Sequence, residues 1–239
     1  MTDKKKIAIF LAARSGSKRL PNKHFLKINK KLKMIDLCIL RLKKVKLKKK
    51  IFLCTTKKKN DDKFISICKK HKIKLFRGNE NNVLKRFVDC AKKNLINHIV
   101  RITADCPIID PKLIDKCIKL YFKNKSDYTS NTLKFCYPKG LDIEVISLNT
   151  LLVSQKLSKS LYNKEHVTPF IRSSKLFKKH KITNDINYGN RRWTLDYLED
   201  YLFLKKVVDF FYPNIHFSWK DLIKSEKKNN FLLNIKKRV

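Results

Sequence analysis

The sequence predicts an α/β fold, a single domain with a mostly parallel central sheet flanked by helices and with an inserted hairpin region. Two observations predict this class. Short apolar runs alternate with segments of helical periodicity through the first 125 residues, and such alternation favours parallel strands joined by right-handed helical crossovers. A length of 239 residues suits one domain, which we expect over 1–239, with a core at about 5–212 and a C-terminal extension at 213–239.

Four strands and four helices are expected in the first half of the chain. The strands are the apolar runs Ile7–Ala13, Lys50–Thr56, Lys74–Phe76 and His98–Thr103. The helices are the periodic segments Met34–Val45, Asp61–His71, Asn82–Lys93 and Pro111–Phe122. Asp61 stands at a helix start, where the helix dipole favours an acidic residue, and Asp110-Pro111 supplies an N-cap and a first-turn proline.

The pattern changes after Asp127. A Pro138-Lys139-Gly140 turn precedes the alternating apolar residues of 141–147, which predict a strand of the hairpin region. The segment 166–181 is polar and is expected to be irregular. A final helix is predicted over 198–211.

The net charge of +38 raises the question of a nucleic-acid partner, because clustered cations gain affinity by releasing counterions from phosphate backbones. Only ten of the 58 basic residues are Arg, the residue that provides most bidentate contacts to phosphates and bases. The densest patch, 27–50, carries a helical apolar stripe and is interpreted as a solvated helix face, with an RNA- or membrane-facing patch as the alternative. We therefore predict no nucleic-acid partner.

Membrane insertion and secretion are not expected. The longest apolar runs stop far short of the roughly 20 residues that a membrane span needs, and the N-terminus lacks the features of a cleavable signal. The seven cysteines show no CxxC pair and no zinc-ligand spacing. Buried free thiols in a cytoplasmic protein are the expectation.

A candidate phosphate-binding loop follows the first strand. It contains neither GxGxxG nor the Walker pattern, but it combines a Gly-Ser turn with four cations. A loop at the carboxyl end of a parallel strand lies where open α/β sheets bind ligands. Its N–H groups at Ser15-Gly16-Ser17 could form an anion-binding nest, Arg14 could clamp a phosphate and Lys23 could add a point charge. The alternative is a basic turn in a basic protein. The predicted nucleotide-binding residues here are Ala12, Ala13, Arg14, Ser15, Gly16, Ser17, Arg19 and Lys23.

Six collinear blocks resemble the CMP-sugar synthetases, the cytidylyltransferases that activate acidic sugars. The chain is most similar to the spore coat polysaccharide biosynthesis and acylneuraminate cytidylyltransferase-like branch. The blocks are ARSGSKRLPNK at 13–23, RG at 77–78 with VLKRF at 83–87, RITADCP at 101–107, YPKGLDIEV at 137–145, EHVTP at 165–169 and RWTLDYLED at 192–200. They span about 7–210. Asn82 stands where this branch often has Asp, and Leu198 replaces a usual Pro.

The resemblance implies a nucleotide-diphospho-sugar-transferase-like (Rossmann-like) fold and the conversion of CTP and an acidic sugar to a CMP-sugar and pyrophosphate, for surface polysaccharide or glycoconjugate synthesis. It also implies Mg²⁺ held by Asp105 and Asp196, and a homodimer, with the aromatic-rich segment 193–211 as our expected contact. Arg14, Lys23 and Asp105 are the expected catalytic residues. The alternative is a nucleotidyltransferase that uses another nucleotide or a sugar phosphate.

Asp105 follows the fourth strand at the edge of the sheet that carries the phosphate loop, and hard carboxylate oxygens suit Mg²⁺. A cap or turn role for Asp105 and an N-cap role for Asp196 on the last helix are the alternatives. Arg77 is expected near the nucleotide.

The acceptor-binding residues are less narrowly predicted. Asp142 and Glu144 lie two apart on a strand, hence on one face, where they could bind sugar hydroxyls or a second metal, or pair with lysines on an exposed face. His166 is expected to contact substrate, with a structural role as the alternative. Arg192 could meet a sugar carboxylate or pyrophosphate through its bidentate geometry.

Overall fold

A computed structural model describes residues 6–47 and 50–228 as one sheet with helices on both faces. The sheet has seven strands, β1 to β7 in chain order: Ile7–Ala12, Lys50–Thr56, Lys74–Gly78, His98–Thr103, Tyr128–Ser130, Glu144–Ser147 and Lys179–Lys181. The predicted fold class is confirmed.

Nine α-helices, α1 to α9, lie within the described residues: Met34–Lys43, Lys63–His71, Val83–Lys93, Pro111–Lys123, Leu148–Leu157, Leu161–His166, Pro169–Ser173, Leu198–Phe211 and Trp219–Lys228. Two short 3-10 helices cover Lys23–Phe25 and Lys59–Asp62.

The strand order is β3-β2-β1-β4-β6-β5-β7. Strands β3, β2, β1 and β4 are parallel to one another, whereas β6 runs antiparallel to both β4 and β5. The chain moves outward from β1 through β2 and β3, and then crosses to β4 on the other side of β1. The carboxyl ends of β1 and β4 therefore form a topological switch point, where folds of this type open a crevice for ligands.

Strand β1 shows how the sequence builds two cores. Its residues Ile7, Ile9 and Leu11 face one hydrophobic cluster, while Ala8 and Phe10 face the other, as the two-residue period of a strand requires. Helices α1, α2, α4, α8 and α9 contribute to the first cluster, and α3, α5 and α7 to the second. A strand buried on both faces explains the uninterrupted apolar run in the sequence.

The first half of the chain follows the sequence prediction closely. All four predicted strands are present, with β3 extended to Gly78, and α1 ends at Lys43 rather than at residue 45. Asp110 caps α4 as expected, because its carboxylate accepts hydrogen bonds from the N–H groups of Lys112 and Leu113. Asn82, the departure from the family pattern, caps α3 by accepting from Lys85 N–H.

The prediction for the second half of the chain is corrected by the structure in three places. The segment expected to be irregular, 166–181, contains α7 and β7, and the predicted strand over 141–147 begins only at Glu144. The hairpin region has antiparallel neighbours β5 and β6, but a long connection at 131–143 joins them. Short elements such as β5 and β7, of three residues each, are too brief for periodicity to reveal.

Helix α9 lies beyond the expected core boundary at 212, and its residues Trp219, Leu222 and Ile223 are buried in the first cluster. At its end, Glu226 accepts hydrogen bonds from Trp193 Nε1 at 3.1 Å and from Arg191 Nε at 2.7 Å. Residues 229–239 of the expected extension lie outside the described residues.

Burial confirms the prediction for the thiols, since all seven cysteines are free and buried. The apolar stripe of the patch at 27–50 is also buried, as in Ile35 and Leu42. Within 193–211, the segment expected to form a dimer contact, Trp193 is fully buried and so is not available to a second subunit. Leu198, Leu202 and Phe210 of the same segment are exposed. Among the described helices, none combines the length and the apolar character required to cross a membrane.

Candidate active site

A cavity of about 720 Å³ opens at the carboxyl ends of β1, β2 and β4. Its lining includes all eight predicted nucleotide-binding residues of the loop between residues 12 and 23, together with Asp105, Asp196 and His166. Arg77, Asp142, Glu144 and Arg192 do not line it. The fold thus brings together residues that are up to 184 positions apart, from Ala12 to Asp196.

Lys23 lies at the centre of a group of charges that we term the cation-clamped cluster, formed by Lys23, Arg19, Arg192, Asp105 and Asp196. Lys23 Nζ is 2.8 Å from Asp196 Oδ1 and 3.6 Å from Asp105 Oδ2. Asp196 also pairs with Arg19 at 3.1 Å and with Arg192 at 2.9 Å. Three cations therefore converge on one carboxylate, and the two carboxylates flank one ammonium group.

The cluster fixes the charge state of Asp196. Burial alone would raise the pKa of this carboxyl, but Lys23, Arg192 and Arg19 outweigh it and hold the pKa below its ordinary value. The adjoining His24 responds oppositely, since burial and the charge of Lys23 lower its pKa to about 4. At neutral pH Asp196 is therefore charged, and the imidazole of His24 beside the cluster is neutral.

Asp196 does not cap α8, the alternative considered for it. Tyr197 occupies the N-cap position. Asp200 in the first turn accepts hydrogen bonds from the N–H groups of Asp196 and Tyr197 at 2.8 and 3.0 Å. The carboxylate of Asp196 is left to the cations, and α8 begins at Leu198, the position where the family usually has Pro.

Asp61 holds the phosphate loop, a role that the sequence interpretation missed. Its Oδ1 accepts from Ser15 N–H at 2.8 Å and from Ser15 Oγ at 2.6 Å, while Oδ2 accepts from Thr55 and Thr56. Burial would raise the pKa of Asp61, but the bonds from Ser15 and Thr56 dominate and lower it to about 2. The predicted start of α2 at Asp61 is corrected to Lys63, and Asp61 lies instead in the first turn of the 3-10 helix Lys59–Asp62 that precedes it.

The predicted anion nest at Ser15-Gly16-Ser17 is not formed in this conformation. The Ser15 N–H donates to Asp61, and the Ser17 N–H donates to the Ser15 carbonyl at 2.9 Å. Both groups therefore have acceptors inside the protein, and the loop offers its cationic side chains to the cavity.

Arg14 reaches across the cavity mouth to Glu165, near the end of α6, with Nη2 2.8 Å from Oε1. Both side chains are nearly half exposed, at 49% and 44%, so the pair is worth about 1 kcal/mol or less. His166, the next residue, packs its ring against Tyr162 at a centroid distance of 4.5 Å.

Two predicted arginines do not line the cavity and are paired with protein groups. Arg77 donates to the carbonyls of Thr56 and Lys58, both at 3.0 Å, and pairs with Asp62 at 2.6 Å. Arg192 is divided between Asp196 and Asp200. Both therefore contact residues that line the cavity without lining it themselves.

Beneath the cavity lies a second acidic group, which we term the carboxylate floor, formed by Asp142 and Glu144 with Arg101. Glu144 is 3% exposed. Its Oε2 accepts from Arg101 Nη1, and its Oε1 accepts from Tyr128 at 2.5 Å and Thr168 at 2.7 Å. Burial raises the pKa of Asp142 to about 6. The negative charges of Glu144 and Asp105 raise it further, whereas a hydrogen bond from Gly140 N–H lowers it.

The sequence matches the cytidylyltransferase family over residues 8–237. The chain belongs to this family. A cytidylyltransferase from Leptospira borgpetersenii is similar to it over 98% of both chains, with 32% identity and a TM-score of 0.92. Spore coat polysaccharide biosynthesis protein SpsF of Bacillus subtilis is 32% identical over 172 residues, 70% of each protein. A CMP:2-keto-3-deoxy-manno-octonic acid synthetase solved with CTP shares the fold, with a TM-score of 0.60 at 14% identity over 84% of this chain and 98% of that one.

Several lining residues of this cytidylyltransferase were not assigned from sequence. Arg101 opens the block RITADCP and Glu165 opens EHVTP, so the family blocks contained both signals. Asp61 and Arg86 lie in segments that looked like ordinary amphipathic helices. Only the fold shows that they turn towards the cavity.

Proposed function

We propose that this cytidylyltransferase transfers the CMP group of CTP to an acidic sugar and releases pyrophosphate. The observation that carries the proposal is the convergence of the phosphate loop, Lys23, Asp105 and Asp196 on one cavity at the β1/β4 switch point. Membership of the cytidylyltransferase family supports the reaction class, and the relative of the same fold that holds CTP supports the donor.

The loop cations would hold the triphosphate. Arg14 would exchange its weak pairing with Glu165 for a phosphate, because charge-assisted bonds to a phosphate exceed an exposed ion pair. Arg19, about half exposed, would reach the same polyanion. Lys23, almost buried, would provide a fixed positive charge beside the leaving pyrophosphate.

Asp105 and Asp196 would hold Mg²⁺. Both carboxylates already lie against a cation, the Lys23 ammonium, and their oxygens are the hard ligands that Mg²⁺ prefers. The described residues contain no group of three or more potential metal-ligating side chains; an ion that takes one or two protein carboxylates and completes its shell with phosphate oxygens and water fits this arrangement. When bound, Mg²⁺ would supply charge stabilisation at the transferring phosphate.

In the proposed reaction, a sugar hydroxyl, the anomeric one, attacks the α-phosphorus of CTP in line with the bond to the leaving group. The new O–P bond forms as the bond between the α-phosphorus and the oxygen that bridges to the β-phosphate breaks, pyrophosphate leaves with that oxygen, and the hydroxyl proton passes to solvent water. Lys23 and Arg14 neutralise the charge that grows on pyrophosphate. Positioning and electrostatics thus supply the catalysis, as is usual for phosphoryl chemistry. The product would serve surface polysaccharide or glycoconjugate synthesis, in keeping with the name of the SpsF relative.

A pyrophosphate-release panel tests this function. Four nucleoside triphosphates are crossed with Kdo, N-acetylneuraminic acid, pseudaminic acid and legionaminic acid, and with neutral sugar phosphates as controls. We expect release from CTP with at least one acid, and little from the other nucleotides. Release that requires a sugar phosphate, or that prefers another nucleotide, would replace the proposal with the alternative nucleotidyltransferase reaction.

We also propose that the enzyme is a cytoplasmic homodimer. Seven buried free thiols suit a reducing compartment, and α8 exposes Leu198, Leu202 and Phe210, which a second subunit could cover. Sedimentation equilibrium of the wild type and of Leu202→Lys checks the assembly. A monomeric mass for the wild type would contradict it.

A further inference from the structure

Buried arginines in this protein follow two patterns. Arg41 and Arg86, at 0% and 2% exposure, direct their guanidinium groups to backbone carbonyl oxygens. Arg41 makes three such bonds, from Nε, Nη1 and Nη2, and Arg86 makes three from Nε and Nη2. The carbonyl oxygens bond all three nitrogens of the Arg41 guanidinium group and the Nε–Nη2 edge of Arg86. Both groups therefore hold the protein's own backbone in place.

Arg101 differs from both. Its side chain is 18% exposed and, like that of Arg86, lines the cavity, but its guanidinium group is bonded differently. Only Nη1 has a hydrogen-bond partner, Glu144, whereas Nε is buried without an acceptor and Nη2 donates to no atom of the described residues. Since buried N–H groups are almost always satisfied, a nearly buried guanidinium with an idle edge indicates an acceptor that the protein itself does not provide.

The surroundings hold Arg101 in place. Glu144 is fixed by Tyr128 and Thr168 as well as by Arg101, so the carboxylate cannot follow a ligand. Arg101 lies on β4, four residues before Asp105, the expected metal ligand. Arg101 and the phosphate loop line the same cavity, so a molecule bound by Arg101 would share that cavity with a nucleotide held by the loop.

We propose that Arg101 binds the carboxylate of the acceptor sugar, an inference that rests on the proposed function. A guanidinium edge donates two parallel N–H···O bonds to a planar carboxylate, a geometry that Lys cannot reproduce. Arg101 is thus the specificity residue for acidic acceptors, and Glu144, Tyr128 and Thr168 are positioning residues. Arg192, the candidate for this task from sequence, is committed to Asp196 and Asp200.

Two variants test the proposal. Arg101→Lys keeps a cation beside Glu144 but removes the planar fork. The double variant Arg101→Gln/Glu144→Gln removes both charges together and avoids a buried unpaired carboxylate. Arg172→Gln is the matched control, because Arg172 donates to the Thr132 carbonyl and does not line the cavity. Each acid that the wild type accepts from the four of the panel is compared with its 1-carboxamide, and KM is measured for both substrates.

In the wild type we expect a preference for the acid over its carboxamide. In both variants the KM for the acid should rise about 10- to 100-fold, the loss expected for a charge-assisted bond, and the preference over the carboxamide should collapse. In both Arg101 variants the KM for CTP should stay within about twofold of the wild-type value. All kinetic parameters of Arg172→Gln should stay within the same limit, because Arg172 does not line the cavity.

The outcomes separate the inference from the proposed function. If both Arg101 variants keep the acid KM and the acid preference, or if the KM for CTP rises instead, Arg101 does not bind the acceptor carboxylate and the inference is wrong, while the reaction stands. If the wild type releases pyrophosphate with none of the acids, the proposed function itself fails, and this role of Arg101 fails with it.

Discussion

Asp196 in the cation-clamped cluster and Asp142 on the carboxylate floor have pKa values shifted in opposite directions. In the cluster, Asp196 meets three cations, and its pKa falls although the group is largely buried. On the floor, Asp142 lies near Glu144 and Asp105, with Arg101 committed to Glu144, and burial raises its pKa to about 6. Burial raises the pKa in both places, and the number of cations and donors facing each carboxylate decides whether the pKa ends below or above its ordinary value.

This difference suits two tasks. The proposed triphosphate site needs fixed charge, which Asp196 and the almost buried Lys23 provide. The proposed acceptor site needs a directed anchor, which Arg101 provides beside Asp142. Asp61 shows a third arrangement. Its pKa is lowered by hydrogen bonds from the neutral hydroxyl groups of Ser15, Thr55 and Thr56, with no cation beside it in these bonds.

The largest expected effect comes from breaking the cluster. Asp105→Asn removes one of the two carboxylates that flank Lys23, and pyrophosphate release should fall on the order of 100-fold or more, the scale of lost metal or electrostatic stabilisation. Steady-state pyrophosphate release at saturating CTP and acid measures this. The matched control is Asp89→Asn, whose carboxylate pairs with Lys85 on an exposed face of α3; turnover of Asp105→Asn near that of the control would exclude the metal role.

A smaller effect should follow from loosening the loop. Asp61→Asn keeps one acceptor oxygen but cannot serve the donors of both Ser15 and Thr56, so the free energy of unfolding should fall by about 3 kcal/mol and the KM for CTP should rise. In the wild type the lowered pKa of about 2 means that this stabilisation is present above about pH 4 and disappears as the pH falls towards 2. Urea unfolding of both proteins between pH 3 and 7 checks the claim, and an unchanged KM for CTP would show that Asp61 does not position the loop.

The smallest effect has the opposite sign. The pKa of Asp142 is raised from 3.8 to about 6 in the folded protein, so its contribution favours folding below about pH 4 and is lost as the pH rises through 6. Asp142→Asn stays neutral and can still accept the bond from Gly140. The variant should match the wild type at pH 4 and exceed its stability by about 2 kcal/mol at pH 8. Urea unfolding at both values measures the difference, and a constant difference between pH 4 and 8 would contradict the raised pKa.

The sequence predicted the parallel half of the fold because its signals are local. The apolar run of β1 and the cap at Asp110 carry their own periodicity and chemistry. The phosphate loop and Asp105 could be placed at one edge because parallel strands end together. The partners of Arg101, Asp61 and Arg192 could not be predicted, because side-chain pairing depends on the packed fold. They come from β6, from the loop after β1 and from α8, at 43, 46 and 8 positions away, respectively.

The most direct test of the account is to identify the product. Phosphorus NMR of the enzyme with CTP, Mg²⁺ and an accepted acidic sugar should show pyrophosphate and a new phosphodiester resonance appearing in equal amounts, and neither without the sugar. Pyrophosphate that appears with free CMP alone, or without dependence on the acid, would contradict cytidylyl transfer to an acidic sugar.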